Sequence, residues 1–236
     1  MFLSQFHQAT AEGIRISPHQ ASRFAKEIAG DFNPIHDPGS KRFCVPGDLL
    51  FSLVLGKYGL YQRMGFGFSG MVGQDVALLF PETEEQRFTV TNAKDKEFLQ
   101  VERSGDRTQD KTLIEAFCRA YIAFSGHNFP HILVPLMAEK GVMINPDRPL
   151  VIYESMSFGL DRLDIADVRL ELAGSTLETQ GKRGDAWLEF RVLEGEEQVG
   201  TGRKKLVLSG LQPYQEDKIQ GLIEALCAAR RDYRPD

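Results

Sequence analysis

The run Val45-Pro46-Gly47-Asp48-Leu49-Leu50-Phe51-Ser52-Leu53-Val54-Leu55 constrains this chain more than any other feature. From Leu49 onward apolar side chains fall on nearly every face of a helix, so the helix must be enclosed by protein on all sides. It is far shorter than the ~18–20 apolar residues a membrane-spanning helix needs. Strand-like segments follow at 75–80, 86–91, 97–104 and 112–125, rich in β-branched and aromatic residues and divided by turns such as Ser104-Gly105-Asp106. The alternation Phe88-Thr89-Val90-Thr91 suits an antiparallel sheet with one solvated face. The stretch 56–70 is read as the glycine-rich end of the helix.

The order then repeats. Asn128 is placed to cap a second helix whose apolar side is Ile132, Leu133, Leu136 and Met137, with Pro130 in its first turn and Pro135 as a kink or a late start. Strands are expected again at 150–157, 168–173, 187–193 and 204–209. Segments 73–78 and 165–170, and likewise 118–126 and 203–210, take matching places in the two halves. A buried helix followed by antiparallel strands, twice over, predicts an α+β double hotdog. In that arrangement two antiparallel sheets each wrap a central helix and pack as a pseudo-dimer, here with units 1–126 and 127–236. The competing expectation is one α+β domain without internal symmetry. A last amphipathic helix over 216–231 sets Ile219, Leu222, Ile223 and Leu226 on one side as a packing element.

Composition closes off other classes. With 236 residues, 42% hydrophobic and 26% charged, the chain has material for a sizeable core, in one large domain or two modest ones. Its formal charge of -5, without a basic stripe, argues against a nucleic-acid surface. Cys44, Cys118 and Cys227 lie far apart, with no metal-ligand spacing, and are expected as buried small hydrophobes in a reducing compartment. The N-terminus lacks the pattern of a secretory leader. A soluble cytoplasmic protein, monomeric or homodimeric, without membrane insertion, is the expectation.

The chemistry-bearing residues sit just before the buried helix. Ser17, Pro18 and Gln20 form a capping box for a helix over 18–29, whose buried stripe is Ala21, Phe24, Ala25 and Ile28. Gly30 can end it in a left-handed turn. Next comes Gly30-Asp31-Phe32-Asn33-Pro34-Ile35-His36, a turn in which Pro34 restricts itself and pushes Asn33 toward extended backbone. Such a corner can aim a carboxylate and an imidazole at one point.

That segment resembles the hydratase motif G-D-x-N-P-hydrophobic-H of the MaoC-like (R)-specific enoyl-CoA hydratases, in a stretch from about Ala21 to Gly59. The resemblance implies that Asp31 activates water, that His36 orients it and shares proton transfer, and that the substrate is an enoyl or 3-hydroxyacyl thioester of CoA or acyl carrier protein. No metal or other cofactor is implied. Gly47 is a candidate oxyanion donor, because amides in the first turn of a helix are unpaired and the dipole there favours negative charge. Asn33 and Asp48 complete the substrate-binding candidates, Asn33 chiefly as a brace for the turn and Asp48 also as a helix cap. The chain departs from the family in two places. Asp37 follows His36 directly, where members have H-x-D, and Pro46-Gly47-Asp48 replaces their His-Gly, resembling instead the helix start of FabZ-type dehydratases. His127 and His131, around Asn128-Phe129-Pro130, match the dehydratases' G-H-F-P only by chance. Two alternatives accompany the hydratase reading: a non-catalytic acyl- or lipid-binding hotdog protein, and a hotdog thioesterase using Asp48.

Overall fold

The computed structural model describes residues 2–126 and 128–235; His127 lies outside them. The chain begins with a 3₁₀ turn, Phe2–Gln5, and a hairpin of β1 (Gln8–Thr10) and β2 (Gly13–Arg15). Helix α1 (Pro18–Arg23) carries both bonds of the expected capping box. It continues as a π-helical segment, Phe24–Ala29, and stops at Gly30, whose φ of 63° is the left-handed conformation anticipated there. The helix α2 (Gly47–Tyr58) is buried continuously from Asp48 to Leu55.

Next come β3 (Leu60–Phe68), the short β4 (Ala77–Leu78), β5 (Arg87–Thr91) and β6 (Glu97–Thr108). Helix α3 (Lys111–Gly126) is followed by a second π-helical segment, Phe129–Leu133, and by α4 (Val134–Glu139). The second half supplies β7 (Val142–Met143), β8 (Val151–Leu160), β9 (Val168–Gln180), β10 (Arg183–Glu194), β11 (Glu197–Ser209), β12 (Gln212–Pro213) and a closing helix, α5 (Glu216–Asp232).

The large strands form one antiparallel sheet of seven, in the order β5-β6-β3-β8-β11-β10-β9. The expected two sheets are therefore fused edge to edge where β3 pairs with β8, from Arg63 opposite Gly159 to Gly67 opposite Ser155. Two helices lie against one side of this sheet. Phe51 of α2 meets Phe66 of β3 at 5.1 Å, and Phe117 of α3 meets Phe158 of β8 at 4.7 Å. The helices touch each other through Phe51 and Tyr121, with ring centroids 4.8 Å apart. An antiparallel layer packed on a buried helix, present twice and joined through the sheet, is the double hotdog fold.

Three expectations are corrected. Segment 112–125 is helix, not strand, so 118–126 and 203–210 do not match. Its buried residues Leu113, Ile114, Phe117, Cys118, Tyr121, Ile122 and Ser125 recur at the helical period, which outweighs the β-branched and aromatic composition. The stretch 56–70 holds the central strand β3 rather than a loop; Gly65 and Gly67 lie in it without breaking the ladder. Asn128 does not cap, since its backbone is helical and its side chain makes no capping bond. Among the cysteines, Cys118 is buried as expected while Cys227 is exposed.

Candidate active site

The turn after Gly30 is built by short-range bonds. Asp31 Oδ1 accepts from the Asn33 amide at 2.9 Å, and Asn33 Oδ1 accepts from the Ile35 amide at 3.2 Å. Asn33 thus caps the single 3₁₀ turn Pro34–His36, the bracing role expected of it. The strap 43–45 clamps the turn from outside: the Cys44 amide donates to the Ile35 carbonyl at 3.0 Å, and the Val45 amide to the Val72 carbonyl at 2.8 Å. Lys26 and Asp37 pair at 2.7 Å, tying the far end of the turn to the π-helical segment.

The two groups of interest meet at this corner. His36 Nε2 lies 3.5 Å from Asp31 Oδ2. His36 Nδ1 donates to the Cys44 carbonyl at 2.7 Å, which fixes the ring and turns Nε2 toward the carboxylate. Burial would push the Asp31 pKa up, but His36, the Asn33 amide and the Lys204 charge outweigh it, so Asp31 titrates below 3.8. Burial would likewise lower His36; Asp31, the Cys44 carbonyl and Asp48 reverse that, and His36 titrates above 6.5. Each group thus favours the charged form of the other, Asp31 as carboxylate and His36 as imidazolium.

Both side chains line a cavity of ≈ 480 Å³, together with Asn33, Gly47 and Asp48. All five candidates from the sequence thus share one wall. Asp31 keeps 38% of its side chain accessible, so a ligand can reach it. Gly47 opens α2, and the amides of Gly47 and Asp48 are taken up by no group among the described residues, whereas those of Leu49 and Leu50 turn to the Pro46 carbonyl. Glycine at this position has a packing reason. A Cβ at Gly47 would come within 2.7 Å of the Tyr153 ring and 3.2 Å of Phe68, so the missing side chain makes room for an aromatic of the second half rather than for a ligand. Asp48 is no helix cap either: the capping position is Pro46, without a side-chain bond, and the Asp48 carboxyl turns inward.

The second half contributes polar groups that the sequence reading passed over. Lys204 of β11 is 3% exposed, donates to Ser125 Oγ of α3 and sits 4.2 Å above the Tyr153 ring. Burial drives its pKa down, with Asp48 and Asp31 holding it back. Burial drives Asp48 up, against Lys204 and Ser125. Tyr121 and Tyr153 share a hydrogen bond beside them, and burial raises both phenols well above 10.0. The signal for Lys204 was strand parity. It shares the inward side of β11 with Leu206 and Leu208, where a charge needs a reason. Away from this polar end the wall is apolar, with Leu133, Ile144 and Leu206 faced by Leu222 and Leu226 of α5.

No three His, Cys, Asp or Glu side chains gather as metal ligands among the described residues, and none of their helices is long and apolar enough to cross a membrane. Residues 1–217 match a family model described as "Protein of unknown function (DUF3581)". Comparison with curated proteins returned no match. Among solved structures, the chain is similar to an acyl-CoA thioesterase II from Mycobacterium marinum, at 10% identity, with 91% of this chain and 100% of that chain covered and a TM-score of 0.43. A conserved protein of unknown function with a hot dog fold from Alicyclobacillus acidocaldarius matches at 10% identity, with 91% and 99% covered and a TM-score of 0.45. Full-length peroxisomal multifunctional enzyme type 2 from Drosophila melanogaster matches at 9% identity and a TM-score of 0.43, over 81% of this chain and 47% of that one.

Proposed function

We propose that this chain, which belongs to the DUF3581 family, is a hydratase/dehydratase of enoyl or 3-hydroxyacyl thioesters. One observation carries the reading: Asp31 and His36 stand 3.5 Å apart on the wall of a cavity that Gly47 and Asp48, at the start of α2, also line. The resemblance of the Gly30–His36 motif to that of the MaoC-like hydratases supports the same reading.

In the hydration direction a water rests between the carboxylate and the imidazole. Asp31 takes one of its protons as the oxygen attacks C3, and His36, cationic through its pairing with Asp31, gives a proton to C2. The C2–C3 double bond becomes a single bond, and the proton on Asp31 returns to His36 before the next cycle. Acid–base groups so placed contribute roughly 100- to 10,000-fold. Negative charge gathers on the thioester oxygen, which the Gly47 and Asp48 amides meet at the positive end of α2. An oxyanion donor of this kind contributes about 2.7–4 kcal/mol. Dehydration runs the same steps backwards.

Incubation with crotonyl-CoA tests the reading. Enoyl absorbance should fall without release of free thiol, and Asp31→Asn or His36→Ala should reduce the rate by at least about 100-fold. A specific observation favours one rival: the Asp48 carboxyl is buried in the same cavity with Oδ1 unpartnered. Thiol release that Asp48→Asn removes would replace hydration with thioester hydrolysis. Binding of acyl-CoA with neither signal would leave an acyl-binding protein.

A further inference from the structure

Three buried side-chain atoms at the polar end of the cavity have no hydrogen-bond partner among the described residues: Oδ1 of Asp48 and both Oδ1 and Nδ2 of Asn128. The two residues are 8% and 4% exposed, and both line the cavity. Proteins seldom leave such groups unanswered. Nor is Asn128 there for the sake of its own helix, which it does not cap. It stands between the end of α3 at Gly126 and the π-helical segment Phe129–Leu133, an irregularity common at functional sites. The Lys204 ammonium bonds Ser125 Oγ, and Asn128 receives no bond from it.

The chemistry of these atoms selects among acyl groups. Asn128 offers one donating and one accepting group, and the Asp48 carboxyl offers its Oδ1. A saturated chain would leave all three unanswered. A carboxylate only accepts, and it would lie against Asp48 and Asp31. A hydroxyl donates and accepts at once. We infer that the acyl group taken by this cavity carries a hydroxyl beyond the reacting carbons, held by Asn128 and Asp48. This rests on the acyl-thioester reading above and names its substrate class.

The test measures binding rather than turnover. 4-Hydroxybutyryl-CoA and butyryl-CoA lack a C2–C3 double bond, so neither can be hydrated, and calorimetry reads their affinities directly. The wild-type protein should bind the hydroxylated ester at least about tenfold more tightly, since a site built to bond a hydroxyl rejects the analogue without it. Asn128→Leu should erase that ratio while keeping or improving the affinity for butyryl-CoA, which also shows that the variant is folded. Equal affinities in the wild type, or binding of neither ester, overturn the inference. Equal affinities together with hydration of crotonyl-CoA would overturn it alone. A hydroxyl preference without hydration would overturn the hydratase reading and keep the subsite.

Discussion

Of the groups that favour a charged His36, Asp31 does the most. Burial alone would lower the imidazole pKa, and Asp31 is the first of the groups that turn the shift upward. An NMR titration of the ring should therefore give a midpoint above 6.5 in the wild type and a lower one in Asp31→Asn, where burial meets less opposition. A midpoint that did not move would break the pairing on which the proton steps depend. The same shifts set a stability window. The raised His36 contributes fully below 6.5, and its share is lost as pH climbs through the folded value. The depressed Asp31 contributes above 3.8, and its share is lost as pH falls through its folded value. Urea midpoints of the wild type should accordingly fall off on both sides, and those of His36→Gln should lose the alkaline slope. At this scale the sequence was legible wherever residues are close along the chain: Asp31, Asn33 and His36 interact across one turn. Lys204 and Tyr153 reach the site only through the sheet, so no local spacing announces them. Asp48 shows the limit of local reasoning, because a carboxylate in a first helical turn reads as a cap until the tertiary fold turns it inward.

Two irregular helices hold the site open. Phe24–Ala29 leads into Asp31 and packs against the end of α3 at Gly126, and Phe129–Leu133 follows Asn128. A Cβ at Gly126 would lie 1.7 Å from the Ala29 carbonyl oxygen, a backbone atom that cannot swing aside. Gly126→Ala should therefore push the end of α3 away from Phe24–Ala29, costing about 1–3 kcal/mol by overpacking and lowering hydration more steeply than stability alone accounts for. Chemical denaturation and the crotonyl-CoA assay check both halves of that expectation. A stable, fully active Gly126→Ala protein would show that the contact positions nothing. The sequence foresaw α2 and the capping box of α1 because a uniformly apolar run and a four-residue cap are local signals. It missed α3, whose helical period was present but masked by Ile114, Tyr121 and Ile122, which favour strands. It missed β3 because Gly65 and Gly67 look like a loop. Opposite them on β6, Glu102 and Gln100 bring only side-chain atoms near, at 3.8 Å or more, so these glycines cost little strand order.

The halves share a sheet, and that decides how the whole molecule responds to damage. In β8, Phe158 packs on Phe117 of α3 at 4.7 Å and near Phe66 of β3 at 6.4 Å, while its backbone faces β3 on one side and β11 on the other. Tyr153, on the same strand, packs against both hydrophobic clusters of the core. Two units joined only by a linker would lose one core and keep the other. Units joined through a central strand cannot, because opening β8 strips an edge from each side and exposes the helices it covers. Phe158→Ala should therefore cost about 3–5 kcal/mol and shift one cooperative transition rather than split it in two. Fluorescence of Trp187, which lies in β10 of the second half, and far-ultraviolet dichroism of the whole chain should melt together. Separate transitions, with Trp187 unmoved by the substitution, would mean that the β3–β8 seam is a contact between independent domains. The cavity would then depend on docking, because Lys204 and Tyr153 come from one side of that seam and Asp31 and His36 from the other.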